Sequence, residues 1–271
     1  PRMDETIWAF LAQAGLRIVL TSPAPSHLDQ TVDLLGKLDD PVRVLAARVR
    51  ESDLGHEAEI EARLGRPLDG ILAELPPEAL FADPTRGDAA YARVVRFEAR
   101  RLLERLVGLA LSSGAARGTA HIGVFRALEE MHHAPDIIAG TSIGAIVGGL
   151  AAMGIPATEM EAAARTIRRS ELFSLRDLAI PPRSSLLRGA RIDALLDRLF
   201  GRTSFRDLAI PLRMVAVDLD ASEEIVIARG LLRDGARASG SMPGIFPPAL
   251  RGGRRLIDGA VMTPVPVELL H

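Results

Sequence analysis

Cysteine is absent from the 271 residues, which excludes disulfides, thiolate metal sites and a cysteine nucleophile. Lysine occurs once, at Lys37, and arginine carries nearly all the positive charge; this reads as coding bias, not as function. The formal net charge is only -2, with the two signs interspersed, and no basic patch points to a nucleic-acid partner. No signal-peptide pattern opens the chain at Pro1, so the sequence is expected to be a fragment of a longer one. Neither G-x-G-x-x-G nor the Lys-Ser/Thr of a P-loop occurs, so the usual nucleotide fingerprints are missing. What is present is a hydrophobic content of 48%, ample for a core and contrary to disorder.

The stretch that organises the chain is Pro135–Gly154, where an apolar strand runs into Gly140-Thr141-Ser142-Ile143-Gly144 and then a small-residue helix. Gly-x-Ser-x-Gly between strand and helix is the nucleophile-elbow pattern. The glycines, Gly140 and Gly144, give clearance in a turn too tight for side chains, and the serine sits at a helix N-terminus that favours negative charge. Two other readings compete. The five residues alone match a simple glycine turn, and Ile137 to Ile155 is uncharged over nearly the length of a membrane span. Five glycines, Thr141, Ser142 and the lack of basic or aromatic flanks argue against the span.

Residues 1–106 alternate in type and predict a small α/β segment. Helices are expected over Ile7–Ala14, His27–Leu38, His56–Leu64 and Ala89–Leu106, and strands over Arg17–Leu20, Val42–Val49 and Leu68–Leu75. A turn is expected at Asp83–Gly87. This segment holds no acid–base cluster, and its role stays unknown.

At Val107 the character changes. Val107–Leu111 reads as a buried strand, followed by the small-residue loop Ser112–Gly118 and a helix from Thr119 to Met131. Backbone N–H groups of such a loop can cradle a phosphate, line an oxyanion hole, or simply make a turn. A β-α-β connection would set the end of Asp136–Ala139 beside the end of the first strand, where α/β sites form. Further on, helices are expected at Ala157–Arg168, Ala190–Phe200 and Leu231–Ser239, with a break at Pro181-Pro182. Leu212–Val217 and Glu224–Ala228 read as paired strands, and Arg254–Ile257 as a strand leading to Asp258-Gly259-Ala260. Ser174–Pro181 nearly recurs as Ser204–Pro211, each copy leading into the next element. Leu186-Leu187 and Ile245-Phe246 suit either the core or the rim of an apolar entrance.

A serine nucleophile needs a base. The only histidine after Ser142 is the terminal His271, while His121 on the preceding helix suits packing or capping. A Ser–His–Asp triad is therefore disfavoured, and Asp258, after an apolar strand and before Gly-Ala, is the best acidic candidate. Taken alone, Asp258 reads more readily as a strand-end turn residue than as a catalytic one.

The loop Ser112–Gly118, the elbow Gly140–Gly144 and the Asp258-Gly259-Ala260 turn, in that order, resemble the patatin-like phospholipase family. The resemblance extends over about residues 107–270 through Ala120–Glu130, Val217–Asp220, Ala238-Ser239, Phe246–Pro248 and Val265–Val267, closest to the bacterial relatives of neuropathy target esterase. It implies a three-layer α/β sandwich with a mostly parallel central sheet over residues 107–271, expected to be truncated at its C-terminus. It implies a hydrolase with a Ser142–Asp258 dyad acting on phospholipid or lysophospholipid esters, an oxyanion hole at Gly114, Ala115 and Ala116, and a loop oriented by Arg117 and Gly118. No metal or cofactor is required by that chemistry. The resemblance further implies a cytoplasmic protein, peripheral contact with the inner face of a membrane, and cyclic-nucleotide-binding modules upstream of this chain.

One departure stands out. The family's run of three glycines is Ser113-Gly114-Ala115 here, and a positive φ at either flanking position would cost on the order of 1 kcal/mol or more. The alternative is thus a catalytically weakened member serving as a lipid-binding or regulatory module. A third reading, an anion- or nucleotide-binding module using Ser112–Gly118, leaves Ser142 and Asp258 without a role.

Overall fold

A computed structural model describes residues 17–39, 42–49, 57–73, 90–102, 105–167, 177–179 and 185–270. The helix expected over Ile7–Ala14, the Asp83–Gly87 turn, the Pro181-Pro182 break, His56 and His271 lie outside the described residues. The chain divides into two compact units, Pro1–Arg105 and Leu106–His271.

In the first unit, strands β1 (Arg17–Thr21), β2 (Val42–Val49) and β3 (Gly70–Ala73) form a parallel sheet in that order. Helices α1 (Pro25–Leu35), α2 (Glu57–Leu64) and α3 (Ala90–Leu102) alternate with them, as the apolar periodicity requires. Leu28, Val44, Ile60 and Leu64 make its core. Arg43, a charge on a buried strand, is held by Glu98 through Nε (2.9 Å) and by Asp69 (2.9 Å), which offsets the cost of taking it out of water.

The second unit is built on strands β4 (Gly108–Leu111), β5 (Ile137–Thr141) and β6 (Leu212–Asp218), which pair in parallel. Strand β7 (Glu223–Ile227) returns antiparallel to β6, and the hairpin β8 (Ala249–Arg251)–β9 (Arg254–Asp258) adds a second antiparallel contact. Helices α4 (Ala120–Glu130), α5 (Ile143–Ala152), α6 (Ala157–Thr166), α7 (Ala190–Phe200) and α8 (Leu232–Ser239) belong to it, with α5 packed against the other four. Small residues make that central position workable. A Cβ on Gly148 would stand 3.0 Å from Ile138 and Leu111 side-chain atoms, and one on Gly149 2.9 Å from the Phe200 ring. Side chains alternate along β4, so Leu111 faces α5 while Gly108 faces the other way, where Leu270 of the 3-10 turn Val267–Leu270 lies against it. The layers are therefore helices, mixed sheet, and the chain segment that follows the sheet.

Two expectations need correction. The first strand of this unit is not buried: only Leu111 is, because β4 lies at the edge of the sheet and, among the described residues, has a neighbour on one side alone. The helix expected from Thr119 starts at Ala120, and Ala115–Thr119 before it is a 3-10 turn. The near-repeat is put to two uses. Asp207 closes a capping box with Ser204 ahead of β6, whereas Asp177 accepts from the N–H of Gly189 (3.3 Å) at the start of α7. Among the described residues no helix is long and apolar enough to cross a membrane, and residues 137–155 divide into strand, elbow and a helix of 10 residues.

Candidate active site

The elbow follows from its glycines. A Cβ on Gly140 would stand 2.5 Å from the Gly144 carbonyl oxygen, and one on Gly144 2.3 Å from that of Leu111. Between them Ser142 adopts φ 57°, ψ -120°, a conformation L-residues reach only at a cost of roughly 1–3 kcal/mol. Helix α5 begins at the next residue, and the Ser142 carbonyl accepts from Ala145 N–H at 3.0 Å and Ile146 N–H at 3.2 Å. The Ser142 N–H, buried, donates to the hydroxyl of Ser239 at 2.8 Å.

Strand pairing brings Asp258 to this serine. β5 runs along one edge of β6 only as far as Thr141, opposite Val215, and β9 occupies the same edge from the other end, with Asp258 opposite Ala216. The two strands meet nearly head-on, so the residue that leaves β5 and the residue that ends β9 become neighbours. Ser142 Oγ donates to Asp258 Oδ2 at 2.6 Å. Asp258 Oδ1 accepts from the Ala260 N–H at 2.8 Å. Gly259 is required between them, since its Cβ would stand 2.5 Å from the Val215 carbonyl oxygen.

Both groups are buried, Ser142 at 7% and Asp258 at 3% exposure. Burial pushes the Asp258 carboxyl above the ordinary aspartate range, partly offset by its bonds from Ser142 and Ala260. A raised carboxylate is a stronger base than a solvated one, and it is within hydrogen-bond reach of the proton it would take.

The small-residue loop completes one wall of a cleft of about 340 Å³. Ser113, Gly114 and Ala115 line it beside Ser142 and Asp258, with Met242, Pro243, Ala260 and Val261 supplying apolar surface. Ala116 and Arg117 are exposed just beyond the lining. The Arg117 N–H donates to the Gly114 carbonyl at 3.0 Å, closing the turn and leaving the preceding N–H groups without an acceptor inside it. Among the described residues the Arg117 guanidinium makes no hydrogen bond or ion pair, so its contact with the loop is through the backbone. Gly118 is buried against Ile143, where a Cβ would meet Ile143 Cγ2 at 2.1 Å. Ala115 takes φ 49° and Ser113 does not take a positive φ.

No histidine lines the cleft among the described residues. His121 instead bonds the Ser112 carbonyl through Nε2 at 2.9 Å, fixing the base of the loop. Leu187 and Phe246 belong to the core, while Leu186 is exposed. Sequence reasoning did not reach the roles of Ser239, Thr263 or Pro264, whose bonds to the elbow and loop cross long stretches of chain.

A strained serine at a strand–helix elbow, bonded to a buried carboxylate on a mixed α/β sheet, defines a nucleophile-elbow protein. Residues 109–271 match the family model described as patatin-like phospholipase, and the chain belongs to that family. It is 38% identical over 173 residues to an uncharacterized NTE family protein of Mycobacterium tuberculosis, covering 64% of this chain and 29% of that one. It is 32% identical over 178 residues to neuropathy target esterase of Drosophila melanogaster, covering 64% of this chain and 12% of that one. The chain thus spans less than a third of the length of these two curated relatives. Among solved structures, VipD from Legionella pneumophila superposes with a TM-score of 0.44 at 13% identity, over 58% of this chain and 46% of VipD. The description of the matched family names a phospholipase type of reaction.

Proposed function

We propose that the protein is a serine acyl-ester hydrolase acting on phospholipid or lysophospholipid through a Ser142–Asp258 dyad. The observation that carries this reading is the 2.6 Å bond from Ser142 Oγ to Asp258 Oδ2 inside a cleft with no histidine in its lining. As Ser142 Oγ attacks the ester carbonyl carbon, its proton passes to Asp258. The carbonyl oxygen becomes an oxyanion facing the N–H groups of Gly114 and Ala115, donors whose individual loss typically costs roughly 100- to 1,000-fold in rate. The tetrahedral species collapses, and the leaving alcohol takes the proton from Asp258. Water then gives a proton to Asp258 as it attacks the acyl-serine, and the fatty acid leaves with Ser142 restored.

Apolar Met242, Pro243 and Val261 in the cleft suit an acyl chain. Substrate in a membrane requires peripheral contact with its surface, and upstream cyclic-nucleotide-binding modules would supply regulation. The experiment is hydrolysis of p-nitrophenyl butyrate and lysophosphatidylcholine by wild type, Ser142→Ala and Asp258→Asn. The reading expects turnover of both esters by wild type and losses of several orders of magnitude in each variant. A folded wild type without activity, or variants that match it, would remove the mechanism.

A second reading is favoured by one observation. Ala115 holds φ 49°, where glycine is at ease and alanine is not, so the oxyanion loop of this chain is strained. A weakened lipid-binding or regulatory module is the function that strain would leave.

A further inference from the structure

The chain stays at the site after Asp258. It turns through Gly259–Val261, folds back as Thr263 N–H donates to the Gly259 carbonyl (2.8 Å), and then passes both the elbow and the loop. Thr141, buried immediately before Ser142, donates its hydroxyl to the Thr263 carbonyl at 2.9 Å. One residue later, the Pro264 carbonyl accepts from the N–H of Ser113, at the head of the loop, also at 2.9 Å. Carbonyls of two consecutive peptide units, joined at Pro264 whose ring fixes φ, therefore tie the elbow to the loop. The segment is anchored in turn through its side chain, because the Thr263 hydroxyl donates to the carboxylate of Glu224. Glu224 stands on β7 opposite Val217, one step along β6 from Ala216, which faces Asp258 across the other edge.

We propose that Thr263 and Glu224 are positioning residues, and that Thr263-Pro264 is a strap setting the spacing between Ser142 and the oxyanion loop. The inference rests on the hydrolase reading above, since only a reacting ester makes that spacing count. Neither residue touches the substrate. They act by keeping the N–H donors of the loop where the oxyanion forms. The anchor matters because His121 fixes only the base of the loop and the Arg117 N–H closes only its turn, whereas the Pro264 carbonyl holds the N–H of Ser113, two residues before the strained Ala115.

The test uses the full protein with p-nitrophenyl butyrate. Thr263→Val keeps the shape and both main-chain bonds but loses the hydroxyl, and Glu224→Ala, at a half-buried site on an outer strand, keeps the fold while freeing Thr263. A donor displaced by well under 1 Å should lower kcat about tenfold in each variant with KM within about twofold. Thr263→Ser should restore kcat, and the double variant should be no worse than the weaker single, because both cut one bond. Wild-type kcat in either variant, an effect confined to KM, or fully additive losses would overturn the strap. Thr263→Ser as impaired as Thr263→Val would do so too. Failure of the hydrolase reading looks different: activity would then survive Ser142→Ala, whereas a strap alone in error leaves Ser142 essential.

Discussion

Replacing Ala115 with glycine tests the oxyanion loop where the structure says it is strained. Ala115 occupies φ 49°, and an L-residue in the left-handed region costs roughly 1–2 kcal/mol. Glycine removes that cost but gives the unfolded chain more freedom, which takes back about 0.4–1 kcal/mol. The side chain is exposed, so no burial is lost with it. The balance favours the formed loop by about 0.5–1 kcal/mol, or roughly two- to fivefold in occupancy. Ser113 has no positive φ, so Ser113→Gly adds chain freedom without relieving strain and should bring no gain. The assay is kcat/KM on p-nitrophenyl butyrate for the two variants beside wild type. A modest rise for Ala115→Gly and none for Ser113→Gly is expected. A rise of about 100-fold or more would mark a hole lacking a donor and favour the weakened-module reading. Gain at Ser113 with none at Ala115 would refute the strain argument.

Three other predictions concern the same site. Asp258 must be ionised to act, and burial raises its pKa, so activity should fall as pH drops through a point above the ordinary aspartate value of ~3.9. A raised folded-state pKa means the folded protein binds that proton more tightly than the unfolded chain. Stability from this group is therefore lost as pH rises through the folded pKa, and the ionised form is the costly one at neutral pH. Asp258→Asn should consequently melt higher at pH 7, by about 2–4 °C for each kcal/mol relieved, and the difference should shrink in acid; a lower melting point at pH 7 would contradict this. Ser239→Ala leaves the N–H of Ser142 buried without its acceptor, which should cost about 1–3 kcal/mol in a urea unfolding experiment. An unchanged midpoint would show that the elbow does not depend on that bond.

The sequence made the site legible where chemistry is written locally. Gly140, Gly144 and Gly259 mark places where a Cβ would strike backbone, and each stands within two residues of Ser142 or Asp258. The absence of a usable histidine pointed to Asp258, which lies 116 residues from Ser142. What joins them was not legible. That β9 would enter antiparallel and share one edge of β6 with β5 depends on pairing between distant strands, and local hydrophobicity carries no record of it. The same limit explains Val107–Leu111, since an apolar run reads alike at the centre and at the edge of a sheet. Ser239 and Thr263 were hidden for a related reason: a serine or threonine far along the chain looks like any other until the fold brings it to a particular N–H or hydroxyl. The loop lay between these cases. Its glycine deficit was visible, but only the backbone assigns the strain to Ala115 and not to Ser113.

The most direct measurement of the central claim is the site of covalent capture by a fluorophosphonate ester, which reports an activated serine without assuming a substrate. Mass mapping of the labelled full protein should find one adduct, on Ser142, with labelling abolished by Ser142→Ala and strongly slowed by Asp258→Asn. An adduct on another residue, or labelling that persists unchanged in Ser142→Ala, would contradict the account.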